Sequence, residues 1–214
     1  MNLAPFLSLD GIDGTGKTTQ CRMLVDWLNA AGVRAIGCRD PGGTPLGDQL
    51  RQILLASASE LSPRAEALLF MASRAELVTR VIRPALESGQ VVVSDRFVMA
   101  NVVYQGHARG ISPEDVWTVG RFSTGGILPD LTIVLDLPVD QAIARRARTA
   151  DRMEGRGHEY LEKVRQGFRA EAMRQPESVV LVDASPDADT VQRRLREIVG
   201  SFLSKFGLVI GVSE

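Results

Sequence analysis

The feature that most constrains this chain is the stretch Phe6-Leu7-Ser8-Leu9-Asp10-Gly11-Ile12-Asp13-Gly14-Thr15-Gly16-Lys17-Thr18-Thr19-Gln20. An apolar run stops at Asp10, and Gly11 to Thr18 then satisfies G-x-x-x-x-G-K-[ST] at every fixed position. Such a segment reads as a strand that breaks into a glycine-rich loop and restarts as a helix. Gly11, Gly14 and Gly16 can adopt backbone angles barred to residues with a Cβ. Successive N–H groups, those of Ile12, Asp13, Thr15 and Thr19 included, can then point at one anion. The helix adds its free amides and the positive end of its dipole. Lys17 is placed to reach the outer phosphates, and the Thr18 hydroxyl suits a Mg²⁺ ligand. A glycine turn capping an ordinary helix is the alternative, but the complete motif in its strand–loop–helix context favours a nucleotide-phosphate site.

Composition supports that choice at one point. Of 25 Lys plus Arg, only Lys17, Lys163 and Lys205 are lysines. A sequence that elsewhere uses Arg has placed Lys where a compact point charge on a flexible stem is needed. The net charge of −1 gives no general attraction to nucleic acid or to membranes, so any polyanion site must be local. Cys21 and Cys38 are too few for a disulfide framework, which points to a reduced, cytoplasmic protein. The strand and loop begin within ten residues of the start, leaving no room for a signal peptide. No apolar run approaches the ~20 residues of a membrane span.

Apolar runs bounded by turn residues recur at 6–9, 33–38, 91–94, 131–135 and 179–182. Helical patterns lie between and after them at 17–31, 46–55, 63–86, 113–122, 139–148, 160–174 and 188–203. Buried runs alternating with helices predict a five-stranded parallel sheet covered on both faces. This is a three-layer α/β fold of the P-loop NTPase kind, spanning 1–214 as one domain. Its ligands should gather at the carboxyl ends of the strands. Those ends carry Asp10, Arg39-Asp40, Asp95-Arg96, Asp136 and Asp183. Helix capping explains any one of these aspartates, and for Asp136 and Asp183 the choice stays open. Asp95 reads as functional, because an apolar strand ending in Asp is how P-loop proteins supply a second carboxylate on the Mg²⁺ side. Arg96 beside it would face a phosphate.

Phe70 and Arg74 are four apart and share a helix face. On spacing alone a core aromatic beside a snorkelling Arg is preferred to a base stacked on Phe70 and reached by Arg74. Arg145, Arg146, Arg148, Arg152 and Arg156 crowd one region bounded by Thr149, Gly155 and Gly157. A solvated basic face competes there with a closing lid, and the lid at about 146–158 is favoured. His107 and His158 lie in no catalytic motif and read as surface or loop residues.

Taken together, the chain resembles thymidylate kinases over about residues 5–200. Asp40-Pro41-Gly42-Gly43-Thr44 resembles the family's Glu-Pro-Gly-Gly-Thr, and Leu68-Leu69-Phe70-Met71-Ala72-Ser73-Arg74 its Leu-Leu-Phe-x-Ala-x-Arg. Asp95-Arg96-Phe97, followed by Ala100-Asn101-Val102-Val103-Tyr104-Gln105-Gly106, resembles its Asp-Arg-aromatic and Ser-x-x-Ala-Tyr-Gln-Gly. Asp151-Arg152-Met153-Glu154 resembles its lid signature Asp-Arg-x-Glu. The resemblance implies transfer of a phosphoryl group from Mg·ATP to dTMP by a homodimer. It implies Phe70 stacked on thymine, Arg74 on a base oxygen, and Asn101 and Gln105 at the base. Tyr104 would sit against the sugar and Asp13 would accept its 3′-hydroxyl. Arg96 would hold the acceptor phosphate, with Arg39 and Asp40 assisting. Arg148 and Arg152 would act on the transferred group, with Thr18 and Asp95 on the metal. Arg146 and Asp183 would lie at the donor nucleotide. The loop lacks the Arg that some members carry there, so the chain resembles the lid-arginine type. Asp10 and Asp40 stand where the family has Glu, Ala100 where it has Ser, and Ser73 where it has Asp. Two competing readings remain: a deoxynucleoside kinase drafting Asp95 as base, and a silent nucleotide-binding protein. The Asn-Lys-x-Asp motif of a GTPase is missing.

Overall fold

The computed structural model describes residues 3–56, 61–145, 157–208 and 210. Five strands, β1 (Phe6–Asp10), β2 (Ala35–Arg39), β3 (Val91–Asp95), β4 (Leu131–Asp136) and β5 (Val179–Asp183), form a parallel sheet in the order β2-β3-β1-β4-β5. The central β1 is buried along its whole length, as an uninterrupted Phe-Leu-Ser-Leu run requires. The register sets Leu9 beside Asp95, Asp95 beside Arg39, and Asp136 beside Asp183. The acidic strand ends therefore line up along one edge.

The helices are α1 (Lys17–Ala30), α2 (Pro45–Leu55), α3 (Pro63–Leu77), α4 (Arg83–Glu87), α5 (Val98–Asn101), α6 (Pro113–Thr124), α7 (Val139–Arg145), α8 (His158–Arg174) and α9 (Ala188–Ser204). Side chains cap four of them: Thr44 before α2, Ser62 before α3, Ser112 before α6 and Asp187 before α9. One buried cluster joins the sheet to α1, α8 and α9 through Leu24, Phe168 and Leu195. A second, around Phe6, Leu77 and Val92, covers the opposite face.

Two departures from expectation have physical causes. The helix predicted across 63–86 passes through a π-helical turn at Val78–Ile82 before α4. Pro84 lacks the N–H that would bond the carbonyl one turn back, and the wider turn absorbs the mismatch. The helical stretch from Val98 through a second π turn at Val102–His107 was not predicted, because a run so apolar shows no amphipathic period. It places Asn101, Tyr104 and Gln105 beside the strand ends. His107 is at the surface as expected, but it closes this turn and not a loop, its Nε2 2.8 Å from Oε1 of the fully buried Glu171 on α8. His158 is half-exposed near Asp140.

Candidate active site

Gly16 precedes α1 at φ +89°, a left-handed angle, and gives the helix no side-chain cap. Nor does α1 carry an acidic residue in its first turn, whereas α2, α3, α6, α8 and α9 each have at least one. Its orphan amides and dipole are thus left for an anion from outside. Gly14 is required for a second reason, since a Cβ there would stand 2.2 Å from the Ala142 carbonyl oxygen. Lys17 is buried and folds back on the loop, its Nζ donating to Ile12 O at 2.7 Å. Burial lowers its pKa to about 8. Thr18 Oγ1 donates to Asp95 Oδ2 at 2.5 Å, joining the two oxygens expected on the metal side. A hard-oxygen pair beside a phosphate cradle fits Mg²⁺, which binds through one or two protein oxygens plus phosphates and water.

Arg96 is the residue after β3 and the one non-glycine at positive φ among the described residues, at +71°. Such an angle costs about 1 kcal/mol or more. Its N–H on Leu9 O at 2.9 Å and the Ser94 hydroxyl on its carbonyl at 2.7 Å hold it there. The turn sends the guanidinium back over the glycine loop, where Nη1 donates to Gly11 O at 3.0 Å and Nη2 to Asp13 Oδ1. Tyr104 donates to Asp13 Oδ2 at 3.1 Å and carries Arg96 over its ring. Burial pushes the Tyr104 phenol up, so it remains a donor.

Two clefts meet at Asp13 and Arg96. The larger, about 1170 Å³, runs along Asp13, Gly14, Gly16, Lys17, Thr18, Thr19, Arg39 and Asp95. The other, about 550 Å³, is lined by Leu55, Phe70, Arg74, Ala100, Asn101, Tyr104 and Gln105. Asp13, Asp40, Arg51 and Arg96 border both. Arg74 is no snorkelling surface arginine. Only 1% exposed, it donates from Nε to Asp40 Oδ2 at 2.5 Å and from Nη2 to Asn101 Oδ1. Sequence reasoning missed Arg51, whose Nη1 donates to Pro41 O at 3.0 Å. Its one signal was a place on the helix just after the Asp-Pro-Gly-Gly-Thr turn.

Asp183 borders neither cleft; its Oδ1 accepts from Ser185 N at 2.9 Å, so it shapes its own turn. Asp136 likewise holds Arg165 and Arg169 of α8. Arg145, the last described residue of α7, donates to the carbonyls of Ala184 and Ser185. The expected roles of Arg146, Arg148 and Arg152 fall outside the described residues.

Residues 9–195 match the family model described as thymidylate kinase. A thymidylate kinase of Symbiobacterium thermophilum is 44% identical over 205 residues, covering 95% of this chain and 96% of that protein. One from Rhodopirellula baltica is 43% identical over 192 residues, covering 90% and 78%. Among solved structures, the thymidylate kinase of Ehrlichia chaffeensis superposes with a TM-score of 0.75 at 27% identity, over 92% of this chain and 98% of that one.

Proposed function

Because the chain belongs to the thymidylate kinase family and phosphorylates dTMP, we propose that Mg·ATP is its donor and that the two joined clefts hold donor and acceptor. The observation that carries this reading is the border they share, where Asp13, Arg51 and Arg96 stand between the phosphate cradle and the smaller cavity. Donor phosphates on the loop and an acceptor phosphate at Arg96 and Arg51 would approach in line there.

A phosphate monoester has its second pKa near ~6, so the attacking oxygen is largely ionised at neutral pH and no general base is needed. What remains is to bring two polyanions together and neutralise them. Lys17 gives up Ile12 O for phosphate oxygens, and the free amides of α1 hold the same group. Thr18 and Asp95 hold the Mg²⁺, which supplies charge neutralisation. Arg39 assists at the mouth of the cleft. Phe70 stacks on the base, and Arg74, Asn101 and Gln105 face its polar edges. Tyr104 packs against the sugar where a 2′-hydroxyl would collide, while Asp13 accepts the 3′-hydroxyl. Arg148 and Arg152 act on the transferred group and Arg146 on the donor nucleotide. Residues 146–158 then form the lid of one domain spanning 1–214; the support is the α7 helix that precedes them, whose Ala142 carbonyl lies against Gly14 of the glycine loop.

The same reading makes the protein a cytoplasmic homodimer. Its support is Leu68 on α3 and Phe122 on α6, 58% and 87% exposed on two helices that pack together. Among the described residues no helix is long and apolar enough to cross a membrane. Sedimentation should give twice the chain mass of 23.2 kDa; a monomer at working concentration refutes the dimer.

The deciding assay is ADP release from Mg·ATP with dTMP, dUMP, dCMP, AMP, GMP or thymidine. We expect dTMP to be turned over fastest and thymidine not at all. Preference for thymidine would make Asp95 a base and the protein a nucleoside kinase. ADP release indifferent to every acceptor would leave only nucleotide binding.

A further inference from the structure

Glu66 touches neither cleft, and its burial needs a reason. It lies in the first turn of α3, fully shielded from solvent. Its Oε2 is 2.8 Å from Arg109 Nη1, and its Oε1 accepts from Gln105 Nε2 at 2.8 Å. Asn101 Nδ2 donates in turn to Gln105 Oε1 at 2.7 Å. Arg74 Nη2 donates to Asn101 Oδ1, and Arg74 Nε to Asp40. One buried line of side chains therefore runs Arg109–Glu66–Gln105–Asn101–Arg74–Asp40.

The ends of this line give it a direction. A carboxylate only accepts hydrogen bonds and a guanidinium only donates them. Two amides placed between them have one consistent orientation, with each carbonyl toward Arg74 and each nitrogen toward Glu66. Turning either around would set donor against donor or acceptor against acceptor in a dry setting. Each amide nitrogen keeps a second N–H that finds no acceptor among the described residues. Both amides line the smaller cavity.

Resting on the reading of that cavity as the base site, we propose that Glu66 is a positioning residue. With Arg74 at the other end, it fixes the direction of the Gln105 and Asn101 amides, and so the preference of the site for a pyrimidine with a carbonyl at the 4-position over one with an amine there. Thymine offers an acceptor oxygen where cytosine offers an –NH₂ donor. An amide wall that offers a ligand those second N–H groups bonds the first and meets the second donor to donor. Arg109 neutralises Glu66 and is itself tied to Leu61 O at 3.2 Å.

Glu66→Gln keeps the shape, but its single oxygen is drawn to the Arg109 guanidinium and its –NH₂ then faces Gln105, opposing the direction that Arg74 sets. The ratio of kcat/KM for dTMP to that for dCMP should fall about tenfold. The fall should come through a higher KM for dTMP, with kcat within about twofold and KM for ATP unchanged. An unchanged ratio overturns the proposal. So does an equal loss for both monophosphates, which is what a merely loosened fold would produce. Should the single variant fail to fold, Glu66→Met with Arg109→Met removes both charges together and is read by the same ratio. Phe70→Ala separates this proposal from the reading beneath it. If Phe70→Ala raises KM for both monophosphates while Glu66→Gln leaves the ratio alone, the cavity stands and the role of Glu66 falls. If Phe70→Ala changes neither KM, the cavity is not the base site and both fall.

Discussion

The cleft proposed for the phosphates takes most of its lining from one loop and helix start, Asp13, Gly14 and Gly16 to Thr19, whereas the cavity proposed for the base gathers Leu55, Phe70, Arg74, Asn101, Tyr104 and Gln105 from separate segments. The first works with groups that are individually uncomfortable: a buried lysine, an arginine at positive φ, and a helix start without a cap. In the second, the polar side chains are bonded to one another. A site that must grip and release phosphates rests its donors on loop carbonyls and carboxylates that they can give up. A site that must read a base keeps them aimed. Binding energy resides in the first and fold stability in the second, so substitutions in the two should fail differently.

Lys17→Ala and Arg74→Met test that division. Lys17→Ala should lower kcat by about a thousandfold, the scale for losing a principal donor to developing charge. Its melting temperature should hold or rise, because burial already disfavours the charged amine. Arg74→Met should do the reverse. It leaves Asp40 buried without its cation, a loss of about 3–5 kcal/mol, or roughly 10 °C in a chain of this size. KM for dTMP should rise about a hundredfold while ATP binding is kept. Thermal melts and steady-state kinetics on both variants decide the matter. A Lys17→Ala protein as destabilised as Arg74→Met would end the comparison.

The same division explains what could be read without coordinates. The phosphate loop was legible because its geometry is local: glycine spacing, Lys17 and Thr18 suffice, and nothing distant must be known. The sheet was legible from its apolar runs. The wall of the base cavity was not. Phe70 and Arg74 at helical spacing are equally a core pair, and only the resemblance to a family chose between the readings. Glu66 has the look of a first-turn acid favoured by the helix dipole. Its burial depends on Gln105, which sits in a π turn no periodicity announced. Arg51 is one arginine among many until the packing of α2 brings it to Pro41. The place of Asp183 at a strand end left capping and function open, and only the family resemblance put it at the donor; in the fold it closes its own turn.

Two buried aspartates at strand ends set the contrast within a single residue type. Asp40, on the base side, has Arg74 at 2.5 Å. Asp10, at the start of the glycine loop, has no partner among the described residues for either oxygen, and burial pushes its carboxyl up to about 7. The folded protein thus holds a proton on Asp10 that the unfolded chain sheds near 3.8. A raised carboxyl contributes stability that is complete below the unfolded value and lost as pH rises through the folded one. At pH 5 the folded Asp10 is mostly neutral; at pH 8 it is a buried anion. Asp10→Asn removes the titration, so its gain over the parent should be larger at pH 8 than at pH 5. The difference should be about 2–3 kcal/mol, or roughly 5–10 °C in melting temperature. Melts of parent and variant at the two pH values measure it. A gain independent of pH would mean that Asp10 has found a partner or a proton of its own. The phosphate side would then be no less settled than the base side.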